Sequence, residues 1–189
     1  MTVIEMKPVR ERILDTAMNR YYVDGIRAVS ADALIAEARV SKATFYRHFP
    51  HKDDLVIAYL ELQSATEQDS IQEQRAAHPG DPAAVLTWYA DTIGAFGCSP
   101  GFRGCPFINA AAELSDPEHR GRKIVAEHRA WLTAQVAELL AEMGIEDAVL
   151  RADHLMMLRD GAMVAGYVGS EPADISSSLV AAGRTLIAR

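Results

Sequence analysis

The chain has 189 residues, of which 49% are hydrophobic and 24% are charged. These values are typical of a globular protein with its own core, and they exclude a disordered chain, a collagen-like repeat and a disulfide scaffold. Two cysteines, Cys98 and Cys105, are too few for a disulfide framework and suit a reducing compartment. The first dozen residues lack the apolar stretch of a signal peptide, and no run reaches the roughly 18 apolar residues of a membrane-spanning helix. We therefore expect a soluble cytoplasmic protein.

The net charge of -7 is distributed unevenly along the chain. Residues 1–52 carry nine basic and six acidic side chains, and no acidic residue lies between Arg39 and Lys52. The remaining 137 residues carry ten basic and twenty acidic side chains. Because a polyanion responds to local positive charge, the N-terminal segment is the part of the chain suited to a nucleic acid.

The hydrophobic spacing predicts helices throughout the chain and no strand of useful length. Apolar residues recur every three or four positions over 9–22, and Gly25 ends this first helix. Ser30 and Ser41 are typical N-cap residues, and each precedes a short helix. The fold class is therefore all-α. The helices predicted beyond these three cover residues 52–77, 82–96, 108–115, 116–143, 147–168 and 174–189.

Two short helices joined by a tight turn and braced by a preceding helix form a helix-turn-helix unit, whose second helix enters the major groove of DNA. The predicted recognition helix runs from Ser41 to Phe49. Phe45 and Phe49 are four residues apart and point the same way, so we expect them, together with Val40, to pack against Leu34 and Ile35. The other side chains carry donors suited to base edges and phosphates. The alternative is a solvated surface helix, but the charge asymmetry favours DNA binding.

The segment ALIAEARVSKATFYRHFPHKDDLV resembles the N-terminal signature of the TetR/AcrR family of bacterial transcriptional regulators, and the resemblance extends from about Arg10 to Leu60. It implies that the tyrosine and histidine of the recognition helix, and the lysine that opens the next helix, contact DNA phosphates. The turn usually has a glycine where this chain has Arg39, so a positive φ there would cost modest strain. The predicted DNA-binding residues are Arg27, Ser30, Arg39, Ser41, Lys42, Thr44, Tyr46, Arg47, His48 and Lys52.

The same resemblance implies a helix-turn-helix DNA-binding domain over 1–52 and a larger helical ligand-sensing and dimerisation domain over 53–189. It also implies a regulator, more often a repressor, that binds a palindromic operator as a homodimer and is released by a small-molecule effector. One recognition helix covers only a few base pairs, so a two-fold partner is required. Apolar stripes on two late helices are the predicted dimer interface, although such stripes by themselves also fit an internal core. The predicted dimer residues are Trp131, Leu139, Leu155, Leu158, Ala162 and Ala165.

Aromatic, thioether and polar side chains of the C-terminal segment are candidates for the pocket of an unidentified effector. An alternative with the same architecture is a ligand-blind DNA-binding protein, which a filled core would favour. An alternative of another class is a small enzyme that uses Cys105 and a histidine. Six residues separate Cys98 from Cys105 and no second ligand pair lies nearby, so we predict no metal site, no catalytic residue and no cofactor. The predicted pocket residues are Trp88, Phe96, Phe107, Asn109, Trp131, Met157 and Asp160.

Overall fold

The computed structural model describes residues 7–169 and 174–188, and within these ranges it contains nine α-helices and no strand. This result confirms the predicted all-α class. No helix in the described ranges has both the length and the hydropathy of a membrane span. The helices are α1 (Val9–Asp24), α2 (Ala31–Glu37), α3 (Lys42–His48), α4 (Lys52–Ala77), α5 (Pro82–Gly97), α6 (Pro106–Glu113), α7 (Arg120–Glu142), α8 (Ala148–Val168) and α9 (Ile175–Ile187).

Two helices begin two or more residues away from the predicted starts. α6 begins at Pro106, two residues early, because a proline fits the first turn of a helix, where no backbone N–H is needed. α7 begins at Arg120 instead of Asp116, because Asp116 is the first residue of a separate turn. Its carboxylate accepts the backbone N–H of Glu118 at 2.9 Å, and its carbonyl oxygen accepts that of His119 at 3.1 Å. This side-chain bond stabilises a turn in place of the helix.

The contacts divide the chain into two compact units. The first unit comprises the described residues up to Ser64 together with Pro106–Val125. The second unit comprises Ala65–Cys105 and the described residues from Ala126 onward. The predicted boundary between functional domains after residue 52 is a different division, which these contacts do not test, and it stays a prediction.

The core of the first unit joins α1 to the two short helices. Ile13, Ala17 and Tyr21 on α1 are buried at the four-residue spacing of one helix face. Phe45 and Phe49 on the recognition helix are 0% and 2% exposed, with ring centroids 6.3 Å apart. Because two aromatic side chains anchor α3 from its inner side, the opposite side of that short helix is left facing solvent.

The core of the second unit packs α5 and α8 against α9. Gly94 on α5 makes the approach of α9 possible, because a Cβ on Gly94 would lie 2.5 Å from the Cβ of Ser176. Any larger residue there would push the two helices apart. A second group of buried side chains in this unit, which we call the core cluster, comes from α4, α7 and α8: Ile71, Leu132, Val136, Leu140, Ala152 and Met156.

Candidate nucleic-acid interface

Serine caps fix the starts of the two short helices. Ser30 Oγ accepts the backbone N–H of Ala33 at 3.2 Å, and Ser41 Oγ accepts that of Thr44 at 3.1 Å. The hydroxyls of Ser41 and Thr44 are also hydrogen-bonded to each other at 2.8 Å. Each cap satisfies an N–H group that has no partner inside its helix and contributes about 1 kcal/mol. The caps confirm the predicted helix starts and hold the N-terminus of α3 in a defined position.

The turn between α2 and α3 is held in an unusual backbone conformation. Arg39 has a φ of 54°, in the left-handed region that costs a residue with a side chain about 1–2 kcal/mol. Arg12 on α1 supports this turn, because its Nη2 donates to the carbonyl oxygens of Ala38 and Arg39 at 2.8 and 3.1 Å. Arg12 is therefore a positioning residue for the recognition helix, and no motif or spacing in the sequence pointed to this role.

The outer side of α3 carries the predicted base-contacting and phosphate-contacting side chains. Tyr46 is 38% exposed, and its ring meets that of Phe45 edge to face with centroids 5.3 Å apart. The buried phenylalanine thus orients the phenol above it. No acidic residue occurs between Arg39 and Lys52, so donors dominate this surface. Lys42, Tyr46 and Arg47 are exposed, whereas Thr44 and His48 are half-buried.

The two lysines next to this surface are held in different ways. Lys42 forms an exposed ion pair of 3.4 Å with Asp32, which is weak enough for a phosphate to replace. Lys52 Nζ donates to the carbonyl oxygen of Ile26 at 2.6 Å and lies 5.9 Å from the ring centroid of Tyr21. Partial burial lowers the pKa of Lys52. An ammonium has three donors, so Lys52 can support the α1–α2 loop and still offer two N–H groups to DNA.

The loop between α1 and α2 is also bonded to α6. Glu113 Oε2 accepts the backbone N–H of Arg27 at 2.7 Å. Gly25 has a φ of 93°, and a Cβ on it would lie 3.0 Å from Glu113 Oε1. Gly25 is therefore required both by its backbone conformation and by the approach of the carboxylate. The predicted DNA-binding residue Arg27 has an exposed side chain next to this contact.

The second unit contains a cavity of about 190 Å³ between α5, α7, α8 and α9. Most of its wall is aliphatic, and polar groups are added by Thr87, Tyr89, Arg159 and Arg184. None of the described residues that line it belongs to the predicted pocket set, so a ligand contact at those seven positions stays a prediction. The lining residues are Ala83, Leu86, Thr87, Tyr89, Ala90, Ile93, Val136, Met143, Leu155, Met156, Arg159, Leu179, Val180, Gly183, Arg184 and Ile187.

The predicted pocket residues are dispersed over both units. In the second unit, Trp88 and Trp131 pack against the core cluster, and Phe96 packs against Phe102. Met157 is 67% exposed, and the carboxylate of Asp160 pairs with Arg129. Phe107 and Asn109 belong to α6, which lies in the first unit.

A buried polar network lies beside the cavity. The hydroxyl of Tyr89 donates to Glu67 Oε1 at 2.7 Å and accepts from Arg159 Nε at 3.4 Å. Arg159 Nη1 donates to Asp160 at 3.1 Å, and Arg129 Nη2 lies 2.6 Å from the same carboxylate. Burial raises the pKa of Tyr89, so its phenol stays protonated and remains a donor. Arg159 is 6% exposed, and its charge is balanced by this network.

The predicted dimer residues lie at different depths in the second unit. Leu139 is buried, Leu155 lines the cavity, Trp131, Leu158 and Ala162 are half-buried, and Ala165 is exposed.

The side of α8 that does not line the cavity exposes a stripe of apolar side chains, which we call the α8 face. Leu150, Met157 and Val164 recur every seven residues and are 55%, 67% and 51% exposed. Val168, four residues further on, is 73% exposed. Residues at this spacing share one side of a helix, and such a stripe is the pattern that packs against another helix. Ala165 is the predicted dimer residue next to this stripe.

The two cysteines are both free thiols, Cys98 exposed and Cys105 buried. Among the residues that the structure describes, no group of three or more His, Cys, Asp or Glu side chains is arranged to hold a metal ion.

Comparison of the sequence with protein families matches residues 13–59 to the family described as bacterial regulatory proteins, tetR family. The chain is 32% identical over 82 residues to the HTH-type transcriptional regulator AcrR of Shigella flexneri. It is 41% identical over 69 residues to the uncharacterized HTH-type transcriptional regulator YvkB of Bacillus subtilis. These alignments cover 43% and 36% of this chain, and only 38% and 36% of the length of the two curated relatives.

Solved structures match nearly the whole chain. The TetR-family transcriptional regulator SCO4454 from Streptomyces coelicolor is 41% identical, with 95% of this chain and 94% of that chain covered and a TM-score of 0.86. A putative TetR-type regulator (sav143) from Streptomyces avermitilis is 26% identical, with coverage of 94% and 98% and a TM-score of 0.74. The reduced form of NemR from E. coli shares the fold at 20% identity, with coverage of 95% and 98% and a TM-score of 0.83.

Proposed function

Because this chain belongs to the TetR family of bacterial transcriptional regulators, we propose that it is a repressor that binds a palindromic operator through α3. The observation that carries this proposal is the exposed donor surface of α3, fixed from behind by two buried phenylalanines. We assign base contacts to Lys42, Thr44 and Arg47 and phosphate contacts to Tyr46 and His48. Arg27, Ser30, Arg39, Ser41 and Lys52 complete the proposed interface. The homologues are regulators and not enzymes, so the chain has no catalytic role.

The proposed repressor acts as a homodimer. Proteins of this family bind DNA and typically act as dimers. We place the second copy on the α8 face, because its exposed apolar side chains extend over most of the helix. Gly161 lies within the same helix, and a Cβ on it would meet nothing within 4 Å, so this side is open to an approaching helix. A two-fold contact there would hold two recognition helices about 34–36 Å apart, or at a multiple of that spacing.

A small-molecule effector would release the repressor from DNA. The cavity in the second unit favours this proposal over a ligand-blind DNA-binding protein, for which a filled core would be expected. The effector has to bind more tightly to the DNA-incompetent state, and a coupling of about 1–3 kcal/mol would be typical. Because the proposed target is operator DNA, we propose that the regulator acts in the bacterial cytoplasm.

Operator selection tests the proposed function. The purified full-length chain is incubated with random duplexes, and the bound duplexes are amplified and sequenced over several rounds. We expect one palindromic sequence to be enriched, with half-sites about one or two helical turns apart. A pool that stays random, or an enriched site without two-fold symmetry, would contradict the proposal.

A further inference from the structure

The cavity of the second unit combines an aliphatic interior with two arginines. Sixteen residues line it, and no aspartate or glutamate is among these described lining residues. Ile93, Val136 and Met156 are buried side chains of its wall. An interior of this kind stabilises the apolar body of a ligand through the hydrophobic effect, while a few polar groups fix its orientation.

The two arginines of the wall differ in their availability to a ligand. Arg159 is buried and is already hydrogen-bonded to Asp160 and Tyr89. The hydroxyl of Tyr89 in turn donates to Glu67. A ligand carboxylate at Arg159 would therefore lie close to two acidic side chains. Arg184 is exposed in the last turn of α9, and it takes part in none of the ion pairs formed within the described ranges. Arg184 is thus the available cation of this wall.

We propose that the effector is a small apolar monocarboxylate, with its hydrocarbon body in the cavity and its carboxylate on Arg184. This assignment rests on the proposed function, because it names the effector class of the same regulator. A guanidinium binds a carboxylate through two parallel hydrogen bonds. Because Arg184 is exposed, the carboxylate keeps part of its hydration and avoids the cost of burying a charge. A cationic ligand of equal size, placed the same way, would be repelled by Arg184.

The first test compares three probes of equal length by calorimetric titration of the full-length protein: octanoate, octan-1-ol and octylamine. We expect octanoate to bind about tenfold more tightly than octanol, in line with a charge-assisted hydrogen bond, and octylamine to bind most weakly. The variant Arg184→Gln should reduce octanoate affinity to that of octanol and leave octanol affinity unchanged. The control Arg103→Gln removes an arginine of the second unit that does not line the cavity, and it should change none of the three affinities.

The second test fills the cavity. Gly183 lines it on α9, and a Cβ there would lie 3.5 Å from Leu155 Cδ2, an ordinary contact. The variant Gly183→Leu therefore projects a side chain into the cavity and improves the helix propensity of α9. We expect a folded protein that binds neither octanoate nor octanol. If this variant does not fold, Arg184→Gln still decides the proposal.

Three results would overturn the assignment: octanol binding as tightly as octanoate, unchanged octanoate binding by Arg184→Gln, or a folded Gly183→Leu variant that binds like the parent.

Operator affinity, measured in parallel, separates this proposal from the proposed function. Octanoate should weaken operator binding by about fivefold or more. If the ligand-free protein binds its operator but no probe binds, the effector class is wrong and the DNA-binding function stands. If octanoate binds through Arg184 and operator affinity does not change, the assignment of the site stands and the proposed release mechanism is wrong.

Discussion

The two units differ in the exposure of the polar side chains at their candidate binding sites. In the first unit, Lys42, Tyr46 and Arg47 are exposed on the outer side of a short, well-anchored helix. In the second unit, Glu67 and Arg159 belong to a buried network beside an apolar cavity. Exposed donors suit a polyanion, whereas a mostly aliphatic cavity suits a small molecule. The difference implies that substitutions can remove DNA binding and ligand binding separately.

The largest effect is expected from the α8 face of the second unit. Ala165 is exposed, so the variant Ala165→Glu disturbs no contact within one copy. In the proposed dimer it buries two carboxylates without partners, which costs several kcal/mol. Sedimentation should show a monomer, and operator binding should fall by more than about a hundredfold although α3 is unchanged.

The control for this prediction is Ala141→Glu, which adds the same charge at an exposed alanine of α7. It should sediment as a dimer and bind the operator like the parent. A dimeric Ala165→Glu protein would show that the α8 face is not the interface.

A smaller effect is expected from the turn of the first unit. Arg39 has a positive φ, so Arg39→Gly should relieve backbone strain in the folded state. Glycine also adds entropy to the unfolded chain, which offsets part of this gain. The net change should raise the free energy of unfolding by about 0.5–1 kcal/mol. The control Ala36→Gly lies in α2 and should instead lower that free energy by about 1 kcal/mol. Urea unfolding measures both changes, and a decrease for Arg39→Gly would contradict the strain at this turn.

The organisation of the first unit was predictable because its signals are local. Ser30 and Ser41 precede their helices directly, and Phe45 and Phe49 are separated by a single turn. Both features were confirmed by short-range contacts. The contact between Glu113 and Arg27 joins residues 86 positions apart, and no spacing rule pairs them.

The residues that line the cavity could not be predicted, because periodicity does not tell which side of a helix meets a neighbour. Leu155 and Met157 are both apolar residues of α8, yet Leu155 lines the cavity and Met157 is 67% exposed. The packing of α9 decides between them, and α9 in turn approaches α5 through Gly94. Aromatic residues such as Trp131 suggested a pocket from their chemistry alone, but the structure packs Trp131 against the core cluster.

The most direct test of DNA binding through α3 is the affinity of Arg47→Ala for the selected operator, measured by fluorescence anisotropy. Single base-pair changes across each half-site locate the contacted position. We expect a loss of about 1–3 kcal/mol of binding free energy and a loss of discrimination at one base pair of each half-site. The control Lys123→Ala removes a cation of the first unit that pairs with Glu118, and it should bind like the parent. Parental affinity and parental discrimination by Arg47→Ala would contradict the assignment of α3 as the recognition helix.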